Sequence, residues 1–310
     1  MGKKVAFQID PLASLNVRTD STLMLIEEAQ FRGYDCYIYH VGSLHLAGND
    51  VRARLQPVHI DTSHEHWAEC GEAALAPLSD CAIVWMRQDP PVNAHYTTAA
   101  NMLSMVPRPT RVYNDPLGVL GAPEKLSPLR FAQFTAPTLV SQDQEAIRAF
   151  VRTYQKVVSK PLYGYGGHGV YVFEEGESNL ETFLEEHTHE IPRVWQAFLP
   201  EVATEERRII MIGGKVQAIF GRTPKTNSIR SNMRVGGTPV RAEITPKQEA
   251  ICAAIAPYLL REKLLFAGID VIGDTLNEIN ITCPTGLRAV QALYQRNLAT
   301  IVWDKVESDI

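Results

Sequence analysis

The chain has 310 residues, 45% of them hydrophobic and 21% charged, with a net charge of −5. That composition excludes a disordered or fibrous chain, and the acidic balance argues against a protein built to hold nucleic acid. No apolar run reaches the roughly 18 residues a membrane helix needs. The opening MGKKVAFQID reads as a first strand rather than a signal peptide, and the five scattered cysteines, with no CxxC pair, read as reduced thiols of a cytoplasmic protein.

Lys4–Ile9 is a short apolar strand, and Ser21 is placed to cap a helix running to Gly33, with Glu27 and Glu28 on its wet side. Tyr34–Val41 is strand-like, and the apolar run Cys81–Met86 suits a strand buried in a parallel sheet. His95–Met105 is helical and Thr110–Tyr113 is a strand, so the first third alternates strands and helices as an α/β domain does. Gln142–Tyr154 is helical, Val157–Pro161 and Gly169–Phe173 are strands around a glycine-rich turn, Asn179–His187 is an acidic helix, and Val194–Phe198 is a strand. Arg208–Ile212 and Val216–Phe220 form a hairpin about Gly213-Gly214. Lys225–Pro239 is polar and aperiodic and reads as a mobile loop, Pro246–Glu262 is an amphipathic helix, and Phe266–Ile281 is a second hairpin.

Two stretches carry chemistry. In Val157–Phe173 a strand ends at Lys160 and a loop follows with Gly164, Gly166, Gly167 and Gly169. Glycines let backbone N–H groups approach a polyanion, and the lysine adds a point charge for phosphate. The loop joins two strands, unlike a Walker A or Rossmann loop, and a flexible hairpin with a surface lysine is the bland alternative. In Gly268–Thr282 a hairpin turning at Gly273-Asp274-Thr275 pairs Ile272 with Leu276 and Asp270 with Glu278, and leaves room above Gly268 opposite Asn280. Alternation then puts Asp270, Glu278 and Asn280 on one wet, polar face and Ile269, Val271, Ile279 and Ile281 on the other. Facing carboxylates repel unless a cation lies between them, and this hard oxygen set suits Mg²⁺. The bland alternative is a solvated polar face.

Arg87 follows a buried strand, where ligands of open α/β sheets bind. Arg208, Arg222, Arg230 and Arg234, with Lys125 and Lys160, suit a triphosphate and a carboxylate substrate together. His64-Glu65-His66 reads as a surface turn, Cys283 as structural, and His168 as either a phosphate contact or a solvated side chain.

IDPLASLN, MRQDPP, Lys125 within PEKL, KPLYGYGGHGV, QAFLPE, GRTP with NMRVGG, and GIDVIGDTLNEINITCPT resemble in this order the bacterial glutathione synthetases of the ATP-grasp superfamily over nearly the whole chain. The resemblance implies an N-terminal parallel-sheet α/β domain (residues 1–121) followed by the ATP-grasp fold as two α+β subdomains with antiparallel sheets, a central lid (122–200) and a catalytic part (201–310). It implies ATP-dependent ligation of γ-glutamylcysteine and glycine through an acyl phosphate, with two Mg²⁺ ions (or Mn²⁺), in a cytoplasmic homotetramer with no nucleic-acid or membrane partner. Lys125, Lys160, Gly164, Gly166, Gly167, Gln196, Ala197, Phe198, Leu199 and Glu206 would bind ATP, with Gln196–Leu199 lining the adenine pocket through backbone groups. Asp270, Glu278 and Asn280 would hold the metal. Arg208, Arg222 and Arg230 would be catalytic, and Arg87, Asn232, Gly236 and Gly237 would meet substrate, under a lid loop at Lys225–Gly237. Glu206 stands where the family usually has Asp, and Ala289-Val290-Gln291 where it has an acidic residue, a change expected to touch the substrate side. The same residues would also serve a carboxylate–amine ligase with another substrate pair, or an ATP-binding regulatory protein without turnover.

Overall fold

The computed structural model describes residues 2–187, 191–223 and 238–309. The first part runs β1 (Lys4–Gln8), α1 (Ser21–Phe31), β2 (Asp35–Tyr39), β3 (His45–Ala47), β4 (Asp50–Ile60), β5 (Ala68–Cys70), β6 (Ala74–Pro77), β7 (Ile83–Met86), α2 (Ala94–Leu103), β8 (Arg111–Tyr113) and α3 (Pro116–Gly121). The run β2-β1-β7-β8 is parallel, and apolar β1 and β7 lie at its centre. β4 joins β2 antiparallel and carries β3, β5 and β6. This extension over residues 45–77 was not anticipated, although Val51, Ala53 and Leu55 alternate inward as a half-buried strand should.

Asp20, not Ser21, caps α1: its carboxylate accepts from the N–H groups of Thr22 and Leu23 at 2.6 and 3.0 Å. The Ser21 hydroxyl instead accepts from the N–H groups of Gly286 and Leu287, 3.1 Å each, at the start of a distant helix. Nor are Glu27 and Glu28 on a wet side. Glu28 is 8% exposed and paired with Arg32, and Glu27 accepts from Thr62 and Arg288.

The middle comprises β9 (Thr138–Ser141), α4 (Gln144–Tyr154), β10 (Lys156–Pro161), β11 (Tyr171–Glu174), α5 (Asn179–His187) and β12 (Arg193–Ala197). Its antiparallel sheet, ordered β11-β10-β12-β9, closes over a separate core of residues such as Ile147, Phe173, Leu184 and Trp195.

The last part comprises β13 (Glu206–Ile212), β14 (Lys215–Thr223), β15 (Thr238–Arg241), α6 (Pro246–Arg261), β16 (Phe266–Ile272), β17 (Thr275–Asn280), α7 (Leu287–Tyr294) and α8 (Leu298–Ser308). Its antiparallel sheet runs β15-β14-β13-β16-β17. One face, with Ile209, Ile269, Val271 and Ile279 fully buried, shares a core with the N-terminal sheet. α8 packs on α1, where Trp303 donates its ring N–H to the carbonyl of Leu25 at 2.8 Å. Of the stretch read as a mobile loop, Thr238 and Pro239 belong to β15, which pairs with β14, and residues 225–237 lie outside the described residues.

The second hairpin departs from the simple register. Its loop is Gly273-Asp274, so Ile272 faces Thr275 and Val271 faces Leu276, rather than Ile272 facing Leu276. A β-bulge then absorbs Asn277 and restores Asp270 opposite Glu278 and Gly268 opposite Asn280. The chemistry-bearing face survives because the bulge inserts a single residue between turn and acids.

Candidate active site

A cavity of about 780 Å³ opens between the central and C-terminal sheets, rimmed by N-terminal loops at Asp10–Asn16 and Gln88–Pro91. Glu206 and Arg208 on β13, Phe220 and Arg222 on β14, Asp270 on β16, and Glu278 and Asn280 on β17 all line it. Alternation along antiparallel strands sends these residues to one face and the buried isoleucines to the other.

Charges at this end are interlocked. Asp270, 3% exposed, receives Arg208 Nε and Nη2 at 2.5 and 2.8 Å and lies 3.0 Å from Arg222 Nη2. Burial alone would raise its carboxyl; Arg208 and then Arg222 overcome that and hold it at about 2. Arg222 also donates to Glu206 at 2.5 Å. Burial, with Asp270 and Glu278 nearby, nevertheless pushes the Glu206 carboxyl up. The Asn280 amide donates to Asp270 at 3.1 Å. Gly268 offers no open room: a Cβ there would meet Arg208 Cδ at 2.9 Å, so the glycine is what lets the guanidinium lie flat over the sheet.

Opposite, Lys160 at the end of β10 donates to Gln196 Oε1 at 2.9 Å and Asn277 Oδ1 at 2.6 Å, and burial lowers its pKa. Lys125 donates to the Gly164 carbonyl at 2.5 Å. Gly164, Gly166, Gly167 and His168 line the cavity, and positive φ angles of 62° and 75° at Gly166 and Gly167 explain the glycines of that turn. Gln196, Ala197, Phe198 and Leu199 line the far wall, but the N–H groups of Ala197 and Phe198 are spent on the carbonyls of Pro137 and Lys156, 3.0 Å each.

Other expectations give way. Arg87, 4% exposed, does not line the cavity: it donates to Thr22 Oγ1 at 3.0 Å and the Pro284 carbonyl at 2.8 Å, and lies over the Phe266 ring. It braces the wall from behind. Ala289 and Val290 pack in the core, and neither they nor Gln291 reach the cavity, so that departure does not touch this site. Arg230, Asn232, Arg234, Gly236 and Gly237 lie outside the described residues.

The sequence reading passed over Glu124 and Asn277. One Glu124 oxygen accepts from the N–H groups of Ile281 and Thr282 and from the Thr282 hydroxyl, at 2.8, 3.0 and 2.8 Å. Its neighbour Lys125 reaches the glycine loop, so this dipeptide ties the β16–β17 hairpin to the turn between β10 and β11. Only the position beside Lys125 could have flagged it. Nothing local marks Asn277, because the bulge that frees it appears only when the hairpin is paired.

Among the described residues no cluster of three or more His, Cys, Asp and Glu side chains is arranged to hold a metal. The candidate donors are Asp270, Glu278 and Asn280: an ionised carboxylate, a second carboxylate directly across the hairpin, and an amide, all facing the cavity. A few hard oxygens beside space for phosphate and water fit a divalent ion such as Mg²⁺.

Comparison with known proteins finds two matching family models. Residues 3–119 match the family model "Prokaryotic glutathione synthetase, N-terminal domain" and residues 124–295 match "Prokaryotic glutathione synthetase, ATP-grasp domain". Among curated relatives, the glutathione synthetase of Rhodopseudomonas palustris is 39% identical, covering 99% of each chain, and that of Synechococcus elongatus is 38% identical, covering 94% of each. In fold, the chain resembles a crystal structure of a D-cycloserine synthetase, with a TM-score of 0.70 and 15% identity over 99% of this chain and 100% of that one.

Proposed function

The chain belongs to the prokaryotic glutathione synthetase family, and from that membership we propose that it joins γ-glutamylcysteine to glycine at the expense of ATP, yielding glutathione, ADP and phosphate. The observation that carries the reading is the polarised cavity: two ammonium groups on neutral oxygens at one end, and Asp270, Glu278 and two guanidiniums at the other.

A carboxylate is a poor acylating agent, so its oxygen takes the γ-phosphoryl group of ATP and the glycine amine then displaces phosphate from the acyl phosphate. Such transfer needs alignment and charge neutralisation more than a protein nucleophile. Lys125 and Lys160 hold the phosphates, with the backbone of Gly164, Gly166 and Gly167 alongside. The wall Gln196–Leu199 takes the base, and Phe198 gives it an apolar surface. Arg208 and Arg222 offset charge on the transferring group, and Glu206 keeps Arg222 in place. Asp270, Glu278 and Asn280 would hold divalent metal, as two Mg²⁺ ions or Mn²⁺ in their place, and that metal would supply positive charge against the phosphate oxygens.

The division into 1–121, 122–200 and 201–310 is part of the proposal, supported by the separate core under the central sheet. A homotetramer in the cytoplasm completes it, on the family resemblance. Among the described residues no helix is long and apolar enough to cross a membrane.

Incubation with ATP, magnesium, γ-glutamylcysteine and glycine is expected to release phosphate only when both amino substrates are present, with glutathione identified by mass. Phosphate release that ignores either substrate, or a product of another mass, overturns the assignment.

A further inference from the structure

We propose that Asn277 is a positioning residue that holds the Lys160 ammonium without neutralising it, and so sets the affinity for the nucleotide phosphates. The inference rests on the reading of Lys160 as a phosphate ligand. Among the described residues, four lysine and arginine side chains line the cavity, and they are held differently. Arg208 and Arg222 lie against carboxylates, whereas Lys125 bonds a carbonyl and Lys160 bonds two side-chain amides. Among the described residues the lysines therefore meet no carboxylate at hydrogen-bond distance, and Lys160 feels Glu278 only through space.

The two amides come from different sheets. Gln196 lies beside Lys160 in the central sheet, and its own NH₂ donates to Thr138 Oγ1 at 3.1 Å, which turns its oxygen toward the lysine. Asn277 belongs to the catalytic hairpin, where the bulge gives it no cross-strand partner and releases its side chain toward Lys160 at 2.6 Å. An aspartate here would have the same shape and would cancel the charge at contact distance.

The test is equilibrium displacement of a fluorescent nucleotide by ATP, with chelator present to exclude metal, on Asn277→Asp, Asn277→Ala and Lys160→Met. Asn277→Asp is expected to weaken ATP binding by roughly tenfold or more and Asn277→Ala by severalfold, since a new counterion harms more than a lost hydrogen bond. Thermal melting establishes that each variant is folded, and Asn277→Ala stands in if the aspartate variant is not. If Asn277→Asp binds ATP as well as the wild type or better than Asn277→Ala, or if a folded Asn277→Ala shows unchanged affinity, the proposal is overturned. If Lys160→Met itself leaves affinity unchanged, the phosphate role of Lys160 fails instead.

Discussion

Arg208 and Asp270 stand opposite each other on neighbouring strands and meet through two hydrogen bonds of 2.5 and 2.8 Å, at 7% and 3% exposure. The acid expected to meet metal is thus also the counterion of the arginine expected to meet phosphoryl oxygen. Binding of substrate must redistribute this pair rather than fill an idle site.

Asp270 and Glu278 should therefore respond differently to neutral replacement. Asp270→Asn leaves two buried guanidiniums short of a counter-charge, a loss of about 3 kcal/mol or more in unfolding free energy. Glu278 is half-buried and has no ion pair among the described residues, so Glu278→Gln should unfold within about 0.5 kcal/mol of the wild type. Both should lose turnover. Urea titration separates the two, and equal stability of the variants would contradict the ion-pair account.

Acid should weaken the fold through the same residue. The Asp270 carboxyl lies at about 2 in the folded chain against 3.8 ordinarily, so the native state holds fewer protons. Its contribution, about 2 kcal/mol, is complete above the ordinary value and is lost as pH falls toward 2. Chemical denaturation at descending pH should show this loss in the wild type and a smaller one in Asp270→Asn.

Gly268→Ala tests the packing beneath Arg208. The new methyl would meet Arg208 Cδ at 2.9 Å and lift the guanidinium off Asp270. Small displacements of aligned groups cost up to about a hundredfold, so kcat should fall roughly tenfold or more. An unchanged kcat would mean that Arg208 can act from another position.

Periodicity made much of this legible. Asn179–His187 is helical over the range its pattern predicts, and the alternation in Gly268–Thr282 placed Asp270, Glu278 and Asn280 on one face. What escaped depends on partners distant in sequence. Ser21 looks like a cap for its own helix, but Asp20 is one residue earlier and Ser21 is claimed by α7, 265 residues on. Arg87 ends a strand where ligands gather, yet Thr22 and Pro284 take its guanidinium. The polar face looked wet because residue type cannot show that arginines from β13 and β14 lie over Asp270 and bury it.

ATP affinity should fall in alkali before lysines ordinarily titrate. Burial disfavours the charged form of Lys160 and moves its pKa below 10.5. Between the lowered and the ordinary value the unfolded chain binds more protons than the native one, so stability rises with pH across that window. Phosphate binding runs the other way: it needs the protonated amine, and affinity drops as pH climbs through the lowered value. Lys160→Arg keeps its charge far beyond this range and should flatten the profile, at some loss of affinity from altered geometry. ATP titrations from about pH 7 to about pH 10 measure both. A wild-type affinity that stays constant across the range would show that the Lys160 charge does not hold the nucleotide.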